Sequence, residues 1–168
     1  GVQGSYLAWC QEASSDVLRV LVVRATNMGE VTVKIVKDTG GTFSGPKLTA
    51  LDEALADKVP LHATASCQNV DYTAINVTCT LQYALGYAEA DVKAAVEAAL
   101  VEFLDWRTWN WGVDVTRSSL IALVEAVDGV LSVNTDTFMP VTEAVEVAAD
   151  SLPKAGVITI NAVAVKAW

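Results

Sequence analysis

The sequence predicts an α+β fold made of two small α/β modules, each with mixed strands packed against one or two helices. Segments in which apolar and polar residues alternate predict strands, and segments with apolar residues every three or four positions predict helices. A third observation is an internal repeat. Residues 5–20 and 118–133 both read S-x-L-x-x-x-x-E-A-x-x-x-V-L-x-V. Two interpretations of this repeat stay open: two related helix-to-strand units, or chance combined with the similar apolar positions that any such unit needs.

The first module is predicted to span residues 1–69 and to contain a helix, a hairpin, a second helix and a strand. Residues 5–13 show a short helical pattern. Residues 17–24 are rich in β-branched side chains and lie between turn residues, which predicts a strand. Residues 30–37 alternate strictly, so we expect a half-buried strand with Lys34 on its polar face. The turn between these two strands favours a hairpin.

A glycine-rich loop leads from this hairpin into the second helix of the first module. Pro46 suits the first turn of a helix, and Pro60 ends the pattern that follows. A strand is predicted next, over residues 62–68. The apolar residues that repeat at helical spacing are Leu48, Leu51, Leu55 and Val59.

The second module is predicted to span residues 70–168, with a strand, two helices and two or three further strands. Its clearest element is a helix over residues 89–105, because its apolar side chains form a single stripe. Residues 141–150 fit either a strand or a loop. The other predicted elements are a strand at 72–83, a helix at 117–127, and strands at 130–137 and 157–165.

The composition excludes several classes of protein. The chain has 168 residues, of which 52% are apolar, and its 20 acidic and 11 basic residues give a net charge of −9. A chain this rich in apolar residues can bury a real core, so disorder is excluded. Its apolar stretches are too short to cross a membrane, and it lacks the basic face that nucleic acid requires. A chain with this excess of apolar residues must bury it, and a partner surface is one place where it can do so.

No catalytic, cofactor or metal site is predicted, so we expect no enzyme and no cofactor. The three cysteines form no CxxC pair, and the single histidine, His62, has no second ligand at metal-binding spacing. The loop at residues 40–47 is not a phosphate-binding loop, because Pro46 separates Gly45 from Lys47. Unpaired cysteines and the absence of a signal peptide favour buried thiols in a reducing compartment. The start at Gly1 rather than at methionine favours a fragment of a longer protein.

An aromatic segment follows the clearest helix and is the main candidate for a functional site. Trp106, Trp109 and Trp111 lie within six residues, together with Arg107, and Trp168 ends the chain. Two interpretations remain open. The tryptophans fill the end of the core, or they anchor a partner, because Trp and Arg supply much of the affinity in protein interfaces.

Several segments of the chain follow one another in a characteristic order. Pro60-Leu61 opens a strand, a long helix follows, and Trp109-Asn-Trp111-Gly112 forms an aromatic-glycine segment. Residues 126–130, Ala-Val-Asp-Gly-Val, end the next helix, and Leu152-Pro153 precedes the closing element. This order of elements resembles the C-terminal part of the baseplate J-like family, the wedge proteins of contractile phage tails. The sequence departs from the family at Ser14-Ser15-Asp16 and in the density of its tryptophans.

The resemblance implies a virion structural protein that acts through assembly, without catalytic residues. Its partners would be other baseplate wedge and hub proteins, with a homo-oligomer also open and with neither nucleic acid nor membrane as a partner. The protein would be assembled in the bacterial cytoplasm and would be located in the tail baseplate of the virion. The alternative is a small-molecule-binding regulatory module of the ferredoxin-like type, motivated by the hairpin–helix–strand order of residues 17–68.

Overall fold

The fold is α+β, as predicted, in a computed structural model that describes residues 2–24, 29–60 and 63–166. The chain divides into two compact units, Gly1–Asp71 and Tyr72–Trp168. The helices are α1 Val2–Ala13, α2 Gly45–Ala56, α3 Glu89–Phe103 and α4 Arg117–Glu125. The strands are β1 Val17–Arg24, β2 Glu30–Lys37, β3 Thr64–Asn69, β4 Asp71–Ala84, β5 Val115–Thr116, β6 Val130–Val133, β7 Ala144–Val145 and β8 Ser151–Val165.

The first unit packs two helices against a three-stranded sheet. The strands lie in the order β1-β2-β3, with β1 antiparallel to β2, as the predicted hairpin requires, and with β2 parallel to β3. The parallel pairing follows from the intervening helix α2, since a helix can return the chain to the same end of the sheet. The predicted stripe places Leu51 and Leu55 in the core, where Tyr6 and Cys10 of α1 join them.

The second strand of this unit differs from its prediction. Val33, Lys34, Ile35 and Val36 are all buried, although strict alternation predicts that every second side chain faces solvent. Lys34 is only 8% exposed, and its Nζ lies 2.9 Å from Oδ2 of Asp71. The half-buried prediction for β2 was wrong because a carboxylate 37 residues away makes burial of the ammonium group tolerable.

The second unit is built around β4, which is the middle strand of a sheet with the order β6-β4-β8. Strand β4 is antiparallel to β6. Its alternation is confirmed, since its apolar side chains line the core on one face. Helices α3 and α4 contribute the opposing layer. The residues that form this core include Ile75, Val77, Cys79 and Leu81 of β4, Val92, Val96 and Leu100 of α3, and Leu120 and Val124 of α4.

Two strands of the second unit differ from the sequence-based expectation, and the segment that the sequence left open between strand and loop is mostly loop. Strand β8 begins at Ser151, six residues before its predicted start, and includes Pro153. Strand β6 ends at Val133 instead of residue 137, because Asn134 Oδ1 accepts a hydrogen bond from Asp136 N and turns the chain. Within residues 141–150 only the two residues of β7 form a strand, which pairs with β5.

Candidate functional site

The aromatic segment turns sharply at Asp105, directly after the end of α3. The Asp105 carbonyl oxygen accepts hydrogen bonds from the backbone N–H groups of Thr108 and Trp109, at 3.1 and 3.0 Å. Its Oδ1 accepts a third from the N–H of Arg107, at 3.0 Å. An aspartate that binds the backbone two residues ahead is a standard turn former, so this one residue sets the direction of the segment.

Trp106 is buried and stands in a stack of aromatic and cationic side chains. The residue is 6% exposed, and its ring meets the ring of Tyr72 edge-on, with 6.0 Å between centroids. The Arg107 guanidinium lies 4.4 Å from the centre of the Trp106 ring, and Lys154 Nζ lies 5.1 Å from that of Tyr72. These distances are those of cation–π contacts. The Trp106 ring therefore holds Arg107, and the Tyr72 ring that it contacts holds Lys154.

Trp109 and Trp111 are half-buried. The ring of Trp109 packs edge-on against Phe103 at 5.2 Å, and its Nε1–H donates to the Val113 carbonyl oxygen at 2.9 Å. Trp111 precedes Gly112, which has a positive φ of 62° and would place a Cβ 2.7 Å from the Cα of Ala149. Only glycine fits there. The segment is thus held on both sides, with part of each indole left at the surface.

The remaining residue of the predicted site, Trp168, lies outside the described residues, as does His62. The other four, Trp106, Arg107, Trp109 and Trp111, fall within a single turn of chain between α3 and β5. These four residues lie together because they are neighbours in sequence, whereas no sequence pattern indicated that Tyr72 and Lys154 adjoin them.

A groove with a volume of about 400 Å³ runs beside Trp106 and Arg107. It lies between the C-terminal half of α3 and the first half of β8. Its charged lining is mixed, with Lys154 and Arg107 facing carboxylates of α3 and of the turn, and its floor is apolar. Those carboxylates belong to Glu97, Glu102 and Asp105, and the apolar residues include Val101 and Ile158.

The three cysteines are buried free thiols. Burial raises the pKa of Cys79 to about 11. The pKa of Cys67 is also raised, chiefly by a hydrogen bond with Cys10 and then by burial. The same hydrogen bond lowers the pKa of Cys10. Cys67 and Cys79 are held protonated and buried, so neither of these two thiols is a nucleophile.

Among the described residues, no three His, Cys, Asp or Glu side chains come close enough to hold a metal ion. None of the described helices is both long and apolar enough to span a membrane.

The family model described as the baseplate J-like protein C-terminal domain matches residues 75–161, which is half of the chain. The chain belongs to the baseplate J-like family. The matched residues run from β4 into β8, so the baseplate J-like domain lies in the second unit and includes the aromatic segment. The family predicted from the order of elements is thereby confirmed.

A solved structure with a similar fold is a chain in the cryo-EM structure of the anti-feeding prophage baseplate, determined with six-fold symmetry. The two chains are 16% identical with a TM-score of 0.58, and the alignment covers 94% of this baseplate J-like chain. The chain spans 36% of the length of that neighbour. At this identity the likeness shows the fold, including that of the first unit. A comparison with curated proteins finds no match.

One surface was missed by the sequence-based search for a site. Val157 and Val163 of β8 are 70% and 54% exposed, and both side chains lie on the sheet face that bears no helix. A signal for this surface was present, because residues 155–165 contain no charged residue in a chain that is 18% charged.

Proposed function

We propose that this baseplate J-like chain is a structural subunit of the baseplate of a contractile phage or phage-like tail. It acts through protein–protein assembly and catalyses no reaction. The observation that carries the proposal is the family match over residues 75–161. The exposed apolar side chains of the matched unit support it, because surfaces of this kind are typical of subunits that are covered in an assembly.

The partners in this proposal are other wedge and hub proteins of the same baseplate. The subunit would be assembled in the bacterial cytoplasm and would remain in the tail baseplate of the finished particle. The net charge of −9 supports this role, since like-charged surfaces suppress wrong contacts and leave association to the uncharged regions.

The aromatic segment, together with Trp168, is proposed as one contact with a partner. Trp106 holds Arg107 in place, and about half of the Arg107 side chain remains exposed. The half-buried indoles of Trp109 and Trp111 offer apolar surface beside it. An arginine fixed by an aromatic ring and flanked by tryptophans loses little side-chain entropy on binding, which is the character of an interface hot spot.

Trp109→Ala and Trp111→Ala test this contact, with Trp9→Ala as the matched control. Trp9 in the first unit is also half-buried and meets Tyr6 edge-on at 5.2 Å, the distance between Trp109 and Phe103. We expect Trp9→Ala and Trp109→Ala to lower the melting temperature similarly. We expect only the variants of the aromatic segment to reduce incorporation into tail particles, at least tenfold.

Incorporation is measured by expressing the chain with its neighbouring tail genes and purifying the particles on a density gradient. Absence of the wild-type chain from such particles would overturn the baseplate proposal. Equal incorporation of Trp9→Ala and both aromatic-segment variants would leave the baseplate role standing and overturn the contact.

A further inference from the structure

Strand β8 forms one edge of the sheet in the second unit, and it is long. It has 15 residues, which corresponds to roughly 50 Å at the usual rise of a strand. Its neighbour in the sheet is β4, and no other strand of the described residues pairs with it. One side of β8 is thus a row of backbone groups available to another chain.

Two hydrogen bonds fix which backbone groups of β8 form this row. Val157 N donates to Asn76 Oδ1 of β4 at 2.9 Å, and Val165 O accepts from the N–H of Leu85 at 3.1 Å. Their similar offset along the chain makes β8 parallel to β4. Because backbone groups point to alternate sides along a strand, the odd-numbered residues of β8 face β4. The N–H and C=O groups that point away from β4 belong to Ile158, Ile160, Ala162 and Ala164.

This edge lacks the features that normally protect an exposed strand. Such strands carry charges, proline or bulges, or they are very short. Residues 155–165 of β8 contain neither a charge nor a proline, since Pro153 lies before them. The other edge strand of the same sheet, β6, has only four residues, and the edge strand β1 of the first unit carries Arg19 and Arg24.

The charges around β8 indicate what kind of strand it accepts. A charged side chain buried beside Ile158 or Val157 without a partner would be costly, so the paired segment must be uncharged. Lys166 follows the strand directly, is exposed, and makes no ion pair with any described residue. A carboxylate at the end of the incoming strand would meet it.

A second copy of this chain fits less well. If two β8 strands paired along their full free edges, an antiparallel arrangement would place Lys166 opposite Lys154, and a parallel one would place each lysine opposite itself. Like charges across a strand pair are destabilising.

We propose that the free edge of β8 accepts a strand from a different protein by strand addition. The incoming segment is uncharged and rich in β-branched residues, and it carries a carboxylate at the end beside Lys166. The identification of the donor as another baseplate protein rests on the proposed function. The argument that the edge accepts an uncharged strand does not depend on that function. Strand addition of this kind gives affinity through the backbone and specificity through alternate side chains.

A synthetic peptide of eight alternating Val and Thr residues, with glutamate at both ends, tests the proposal on the full chain. Either direction of pairing then places one carboxylate beside Lys166. We expect the peptide to slow hydrogen exchange of the amides of Ile158, Ile160, Ala162 and Ala164. We expect the β4-facing amides between them, already bonded in the sheet, to change much less. Absence of protection at the four edge amides would overturn the proposal.

Ala162→Pro removes one edge N–H, and Ala162→Ser is its matched control. Proline is tolerated where the N–H points away from the sheet, so the ladder with β4 is retained. We expect Ala162→Pro to weaken peptide binding more than tenfold and Ala162→Ser to leave it unchanged. If Ala162→Pro also lowers the melting temperature, its effect on peptide binding is not used. The proposal is then tested only by the hydrogen exchange of the edge amides in the wild-type chain.

Reversing the charge at Lys166 tests whether the end of the bound strand beside it carries a carboxylate. We expect a lysine-ended peptide to bind the wild-type chain about threefold more weakly than the glutamate-ended one, and Lys166→Glu to reverse this order at low salt. Self-association through β8, seen by sedimentation and abolished by Ala162→Pro, would instead make a second copy the occupant and overturn the proposal. These experiments use no tail particle, so their failure is distinguishable from failure of the baseplate proposal.

Discussion

The two units of this baseplate J-like chain differ in how far their large apolar side chains are exposed to solvent. In the first unit, the described large apolar side chains are buried or half-buried in a layer of two helices on a sheet. In the second unit, several are exposed to solvent, although this unit also has a buried core of its own. The second unit therefore carries the exposed apolar surface that the proposed partner contacts would cover. Its exposed members are Leu85, Tyr87, Val101, Val113, Leu131, Met139, Val141, Val157 and Val163.

The edges of the two sheets repeat this contrast. Strand β1 of the first unit ends at Arg24 and also carries Arg19, so another strand that paired with it would meet charged residues. Strand β8 of the second unit presents eleven uncharged residues in succession. The family match covers only residues of the second unit, which is the unit with the exposed apolar side chains and the uncharged edge strand.

The largest effect is expected from removing one core side chain in each unit. Leu55→Ala and Leu100→Ala each empty a fully buried site, and each should lower the free energy of unfolding of its own unit by roughly 2 to 5 kcal/mol. Urea denaturation, followed by hydrogen exchange at residues of each core, measures this. If either variant destabilises both units equally, the chain folds as one cooperative body and the comparison loses its basis.

A smaller effect on stability is expected from replacing one glycine in each unit by alanine. Gly112→Ala forces a positive φ on alanine and drives its Cβ into the backbone at Ala149, so it should cost about 2 to 3 kcal/mol. Gly4→Ala in α1 meets no atom within 4 Å and should stabilise the first unit by about 0.5 kcal/mol. Thermal melts should show a lower melting temperature for Gly112→Ala and a slightly higher one for Gly4→Ala. A neutral Gly112→Ala would show that the aromatic turn is not held as described.

The smallest effect on stability is expected on the open face of β8. Val157→Thr combined with Val163→Thr keeps two β-branched residues on a strand and changes only exposed atoms. The free energy of unfolding should change by less than about 0.5 kcal/mol, while the solubility limit of the chain should rise. A large loss of stability in urea would mean that these valines are part of the core, and would weaken the contrast between the units.

Local patterns predicted the longer elements well. Strands β1 and β2 occupy the residues that their β-branched and alternating patterns indicate, and α3 buries the predicted positions Val92, Val96 and Leu100. In α3 a single helical periodicity extends over fifteen residues, which is enough to define a buried face. The predicted members of the aromatic segment also share one turn, because they are neighbours in sequence.

What the sequence could not predict depends on residues far away in the chain. Strands β5 and β7 have two residues each, and their pairing brings together Val115 and Val145. Burial of Lys34 depends on Asp71, and the stack on Trp106 depends on Tyr72. No local period contains such information. The early start of β8 was missed for another reason, since a proline is usually taken as the end of a strand pattern although an edge strand tolerates it.

The parallel pairing of β4 with β8 also sets an order of events during synthesis. Asn76 and Val157 are 81 residues apart, so the ribosome must complete almost the entire second unit before its central strand gains this neighbour. Closing so long a loop makes this pairing a late step of folding. The edge that we propose for a partner therefore forms only after β8 has been synthesised and has paired with β4.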